Sequence, residues 1–279
     1  MAATYETREA VSSDGTRLSV RDRGRRTAPA IVLIHGYCCS QLVFSRQADS
    51  VLTGKYRLVT YDVRGHGQSE KPTDPERYSR NKLWSDDLHA VLDTLEIESA
   101  VLVGWSMGGR IAANYLYTHG SDRIRGVNFV NTLALADPKT ANRGPEGTIS
   151  MQTLSPDWEE LIIGTARFMR ACTAVPSTGE DFDLMMGAAM VVPMVARQGS
   201  YTWHVDYGDA MSRFELPVLA THGGSDRLIL QVAATEGIAK RMPNVELSIY
   251  PDVGHMPFFE NPSRFNAELD AFAARCHRA

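Results

Sequence analysis

A chain of 279 residues, 43% hydrophobic and 22% charged, has an ordinary globular composition and the length of one large α/β domain, with or without an insertion. Its net charge of −4 gives no general attraction to nucleic acid or to an anionic membrane, and no apolar run is long enough to span a bilayer. The opening MAATYETREAVSSDG lacks the apolar core of a signal peptide, and Cys38, Cys39, Cys172 and Cys276 show no metal-ligand spacing, so reduced thiols in a cytoplasm are expected.

In chain order, strands are predicted at about 17–22, 30–35, 57–62, 100–104, 126–131, 218–222 and 246–250. Several are short continuous apolar runs, such as IVLI and VLVG, as expected of strands covered on both faces. Helical patterns separate them: 82–95 sets Leu83, Leu88, Val91, Leu92 and Leu95 near one face, and 265–272 repeats the pattern. Alternating strands and helices predict a mostly parallel sheet sandwiched by helices. The basic cluster Arg21, Arg23, Arg25 and Arg26 sits among acidic residues and a turn, which suits a solvated loop.

The alternation lapses over 133–213, where the composition shifts to Met, Thr, Gly and Pro, and it resumes at LPVLATHG. The expected organisation is a core formed by 1–132 and 214–279, with 133–213 inserted as a helical lid. Seven methionines fall between Met151 and Met211, and Met suits irregular, adaptable packing. Most of these residues are expected to form a small helical core, and a minority to line an apolar pocket.

The stretch VLVGWSMGGR carries the chemistry. Gly104-Trp105-Ser106-Met107-Gly108 is a G-x-S-x-G pentapeptide at the junction of a strand and a helix, with a hydroxyl at the apex of the turn. A serine hydroxyl needs a base, and the base needs an orienting acid. His255, in PDVGHMPFFENP just after the last strand, is the candidate base. His35 and His66 belong to turns, His222 ends a strand, His89 and His119 lie on or near helices, and His277 is in the tail; His204 is the rival, as a substrate contact. Asp226, in HGGSD four residues after His222, is the candidate acid; a helix cap or turn residue is its alternative role, and Asp252 ranks behind it. The chain order Ser, Asp, His is that of a known hydrolase scaffold.

Oxyanion donors are expected from the N–H of Met107, at a helix start, and of Tyr37, in the loop after IVLIHG. Trp105, Phe44, Trp158, Trp203 and His204 are expected to contact substrate, with plain core as the alternative for the aromatic residues. YDVRGHGQS has neither a dinucleotide fingerprint nor a Walker lysine, so Asp62 and Arg64 are read as tying a turn beside the site floor. Neither a cofactor nor a metal is expected.

HGY after a strand, D-x-R-G-x-G-x-S, GWSMGG, HGGSD and a late GH together resemble the α/β-hydrolase superfamily, over nearly the whole chain outside the lid. The resemblance implies an eight-stranded, mostly parallel sheet, with an extra early strand that periodicity does not place, and Ser106, Asp226 and His255 as catalytic triad. HGYCCSQLVFSRQ and YDVRGHGQSEKP resemble the serine esterases known as cofactor-free haloperoxidases, which also make peracids; those carry a proline where Cys38 stands. GWSMGG and the short lid are similar to acyl-homoserine lactone hydrolases, and the GxSMGG stretch to meta-cleavage-product C–C hydrolases, whose oxyanion loop is richer in glycine. Ser106 argues against epoxide hydrolases and haloalkane dehalogenases, which use an aspartate nucleophile. The expectation is a serine hydrolase that cleaves a small ester or lactone through an acyl-enzyme. Its partner is a small molecule, with neither nucleic acid nor membrane, and the chain carries no signal of its oligomeric state. C–C bond hydrolysis and non-catalytic small-molecule binding are the alternatives.

Overall fold

Strands β3 (Ala30–Ile34), β4 (Arg57–Tyr61), β5 (Ala100–Trp105) and β7 (Val218–Gly223) are buried along their whole length, which explains the unbroken apolar runs of β3 and β5. They belong to an eight-stranded sheet in a computed structural model that describes residues 5–136, 144–202, 205–207 and 209–278. The remaining strands are β1 (Glu6–Val11), β2 (Arg17–Arg23), β6 (Ile124–Val130) and β8 (Val245–Tyr250). The spatial order is β1-β2-β4-β3-β5-β6-β7-β8; β1, β2 and β4 pair antiparallel and the rest parallel. The early strand that periodicity left unplaced is β1. It lies at the sheet edge and buries only Ala10, so no alternation is written into ETREAV.

Helix α1 (Asn81–Thr94) packs on α2 (Met107–His119), where Asn114 donates to Asn81 O at 2.6 Å and Thr118 to Ser85 Oγ at 2.9 Å. Between β6 and β7 lie α3 (Trp158–Ala171), α4 (Gly179–Met190) and α5 (Met194–Thr202), with short 3₁₀ turns at Ile149–Leu154 and Ala210–Arg213. Met169, Met185 and Met211 are buried there, while Met151 is exposed. Helix α6 (Gln231–Arg241) precedes β8, and α7 (Pro262–Cys276) lays Phe272 and Cys276 against Gly126 of β6. Among the described residues no helix is long and apolar enough to cross a membrane.

The topology creates the site. The chain passes from β3 to β4 on one side, then crosses back to β5 on the other, with Ile34 beside Gly104 in register. The loops that leave β3 and β5 therefore open a crevice at their carboxyl ends, where ligands bind in such sheets.

Candidate active site

Ser106 sits between β5 and α2 with φ +53 and ψ −114, a conformation a non-glycine residue holds only when its surroundings impose it. The neighbouring glycines impose it by proximity. A Cβ on Gly104 would lie 2.6 Å from Gly108 O, and one on Gly108 would lie 2.1 Å from Ile34 O. Helix α2 thus presses onto β3 and β5 through bare backbone, which turns the serine outward. Ser106 N donates to Val130 O at 2.9 Å, and Ser106 O accepts from Thr132 Oγ1 at 2.7 Å.

His255 lies across the same crevice. Its Nδ1 stands 2.7 Å from Asp226 Oδ2, and both residues are buried. Burial opposes ionisation of Asp226, but His255 beside it and the hydrogen bonds it accepts hold its carboxyl below the ordinary range. A carboxylate there accepts a hydrogen bond from Nδ1–H, which keeps the proton on Nδ1 and leaves the Nε2 lone pair free to act as a base. The other Asp226 oxygen accepts from Leu228 N at 2.8 Å and Ile229 N at 3.1 Å, so Asp226 is also the turn residue of its own loop. Helix α6 starts later, after Leu230, and Asp226 is not its cap.

Three supporting residues escaped the sequence reading. Asn131 donates to Asp226 Oδ2 at 2.8 Å and to Gly254 O at 3.2 Å, and accepts from Gly223 N at 3.2 Å, joining three strand-end loops. Glu260 accepts from Gly254 N, Met256 N and Ala174 N at 3.0, 3.2 and 2.7 Å, bracing both sides of His255. Cys172, through its backbone carbonyl, accepts from His255 N at 3.0 Å. An Asn after a strand and a Glu five residues after a His carry no spacing signal of their own; the folded arrangement around Asp226 and His255 defines them.

Tyr37 and Met107 flank the crevice, one in the loop after β3 and the other opening α2, where the first N–H groups have no intrahelical acceptor. The Tyr37 loop is held by two neutral imidazoles. His35 Nε2 accepts from Val63 N at 3.0 Å and His66 Nε2 from Cys38 N at 3.2 Å. Their Nδ1 atoms face the carbonyls of Gly36 and Arg64 at 2.8 and 2.9 Å, so Nδ1 carries the proton in each. Burial drives His66 down to about 3 and lowers His35 as well. Cys38 has φ +54, which proline, with φ fixed near about −65°, does not adopt.

Asp62 accepts from Gln41 N and Gln68 N at 2.8 and 2.9 Å, as a turn-tying residue should. Arg64 does not join it. Its guanidinium reaches Asp87 at 2.6 Å and Asp14 at 2.9 Å in a buried network behind the floor.

A cavity of about 140 Å³ is lined by Tyr37, Ser106, Met107, Phe168, Tyr201 and His255, with Arg110 and Ser200 among its other walls. The aromatic residues expected against substrate lie elsewhere. Trp105 is buried beneath the site, its indole N–H donating to His255 O at 2.8 Å. Phe44 packs in the core against Phe258, ring centroids 4.8 Å apart. Trp158, at the first turn of α3, is 66% exposed and borders no part of this cavity. The first two are drawn inward by apolar burial, and Trp158 projects to solvent because the buried side of α3 is formed by Leu161, Thr165, Phe168 and Met169. Trp203 and His204 lie outside the described residues. The aromatic walls come instead from Tyr37, Phe168 and Tyr201, with Tyr37 edge-on to both of the others.

Residues 29–162 match the family model described as alpha/beta hydrolase fold. The chain is 25% identical over 252 residues to the non-heme chloroperoxidase CPO-A1 of Kitasatospora aureofaciens, covering 87% of this chain and 90% of that one. It is 27% identical over 277 residues to the bifunctional esterase/perhydrolase DCH of Acinetobacter calcoaceticus, covering 94% and 97%. Among solved structures, a Burkholderia cenocepacia protein assigned as an aryl esterase superposes with a TM-score of 0.91 at 29% identity, covering 98% of this chain and 100% of the other. An eight-stranded sheet of this order, with a serine on the turn after β5, gives the protein the α/β-hydrolase fold, and over nearly its whole length the chain is similar to esterases and non-heme haloperoxidases of that fold.

Proposed function

We propose that the protein is a serine hydrolase that cleaves small carboxylic esters, lactones among them, through an acyl-enzyme. The observation that carries this reading is the convergence of Ser106 and His255 on one cavity, with His255 Nδ1 2.7 Å from a buried carboxylate. Its relatives named as esterases support it further.

In this mechanism His255 Nε2 takes the Ser106 proton as Oγ attacks the substrate carbonyl carbon. The carbonyl oxygen becomes an oxyanion that the N–H groups of Tyr37 and Met107 hold. His255, now an imidazolium steadied by Asp226, gives its proton to the leaving alkoxide, and the C–O bond breaks. Water, deprotonated by His255, then attacks the acyl-serine and releases the carboxylic acid, with the proton returning to Ser106. The segment 133–213 serves as the lid, and two of its residues, Phe168 and Tyr201, wall the cavity. Phe168 and Tyr201, both packed against the Tyr37 ring, narrow the cavity beside Ser106 and favour short acyl groups.

The test is turnover of 4-nitrophenyl acetate, butyrate and octanoate, an acyl-homoserine lactone and a vinylogous ring-cleavage ketone, by wild type and Ser106→Ala. The reading predicts serine-dependent turnover that is fastest with acetate. Turnover of the ketone alone would transfer the protein to the C–C hydrolases, and silence throughout would favour a binding role.

A further inference from the structure

Arg197 on α5 is a fully buried cation whose four acceptors are all neutral. Its Nε donates to Val192 O at 3.0 Å, Nη1 to Thr153 O at 3.1 Å and Thr165 Oγ1 at 3.0 Å, and Nη2 to Ala189 O at 2.7 Å. Among the described residues no carboxylate pairs with it. The Ala189 and Val192 carbonyls lie at the C-terminal end of α4, where the helix dipole is negative and the last carbonyls need donors. These contacts engage four of the guanidinium's five N–H groups, but they do not neutralise its charge. One side chain therefore joins α3, α5, the end of α4 and the turn Ile149–Leu154.

That turn is where the oxyanion loop is anchored. The Thr153 hydroxyl gives its proton to Ser150 O at 2.5 Å, so the contact at 2.7 Å between Tyr37 Oη and Thr153 Oγ1 has the tyrosine as donor. Arg197 holds the Thr153 carbonyl, and Thr153 holds the Tyr37 side chain. The charge also reaches the loop directly. Burial pushes the Cys38 thiol up to about 11, and the Arg197 guanidinium is the largest influence opposing that rise.

We propose that Arg197 is a positioning residue for ester hydrolysis: it fixes the turn that anchors Tyr37, and its charge favours the oxyanion forming at the Tyr37 N–H. The inference rests on the hydrolase reading of Ser106. A fixed charge in a dry site acts on a developing charge more strongly than it would in water, and it needs no reorganisation during the reaction.

The experiment compares Arg197→Met, Arg197→Lys and Thr153→Val with wild type by thermal melting, by kcat and KM for 4-nitrophenyl acetate, and by inhibition with an alkyl trifluoromethyl ketone. The ketone's adduct with Ser106 places an oxyanion between the two N–H donors. Arg197→Met is expected to lower kcat about ten-fold, less than the ~10²-fold or more for loss of an oxyanion donor, with KM little changed. The ketone should weaken by the same factor. Arg197→Lys, which keeps the charge, should recover part of both losses, and Thr153→Val should lower both several-fold. If Arg197→Met does not fold, parallel losses of kcat and ketone affinity in the other two variants still support the proposal. Folded variants with wild-type kcat and ketone affinity, or losses confined to KM and melting temperature, would overturn it. A wild type that neither hydrolyses the ester nor reacts with the ketone would overturn the hydrolase reading, a separate result.

Discussion

Asn131 and His255 meet on one atom: both lie within hydrogen-bond reach of Asp226 Oδ2, at 2.8 and 2.7 Å. Asn131 has φ +42, a conformation Asn adopts more readily than most residues. Asn131→Ala should destabilise the fold by about 2 kcal/mol, through backbone strain and lost buried hydrogen bonds, and lower kcat about ten-fold as the Asp226 carboxylate loosens. Urea unfolding and steady-state kinetics on one preparation check both. Unchanged kcat in a folded variant would remove Asn131 from the positioning of the acid.

Trp105 supports His255 from beneath, its indole N–H on the His255 carbonyl. Trp105→Phe keeps most of the apolar burial but loses that donor. We expect kcat to fall several-fold with KM nearly constant. A dominant rise in KM would restore Trp105 to the pocket wall.

Gly108 marks the closest approach of α2 to β3. A methyl group there meets backbone at 2.1 Å, which no side-chain rotation relieves. Gly108→Ala should cost about 3 kcal/mol or more, or prevent folding. A melting temperature within a few degrees of wild type would contradict this packing.

His35, His66 and His222 are buried and neutral, and burial lowers each below the value of 6.5 that the unfolded chain restores; His222 falls to about 4 and His66 to about 3. Between those values and 6.5 the unfolded state binds more protons than the folded one, so stability rises with pH and falls on acidification. The loss should begin just below pH 6.5, at up to roughly 1 kcal/mol per pH unit for each such imidazole. Asp226, held low, loses its contribution only at more acid pH, in the same direction. Unfolding free energies from pH 8 to 5 check this, and a flat profile between 7 and 5 would contradict it.

The parts of the site visible in the sequence are those whose chemistry is local. Gly-x-Ser-x-Gly between an apolar run and a helical pattern specifies an elbow, and strands covered on both faces announce themselves as apolar runs. Tyr37, as the residue two past His35, was legible because its strand was. The exposed edge strand β1 left no pattern to find. Asn131 is defined by partners far away in the chain, and Glu260 and Arg197 tie near neighbours to distant Ala174 and Thr153, so no window contains their meaning. Trp105 illustrates a related point: an aromatic residue beside Ser106 can face the pocket or the floor, and only the fold decides between the two.

The most direct test of the account is rapid mixing with 4-nitrophenyl acetate, followed by mass spectrometry of the quenched protein. An acyl-enzyme predicts either a nitrophenolate burst approaching one equivalent per chain or, where deacylation is fast, an acetyl adduct trapped on Ser106 at low pH. Ser106→Ala should show neither. Steady turnover by wild type that Ser106→Ala retains, or an adduct on any other residue, would contradict the central claim.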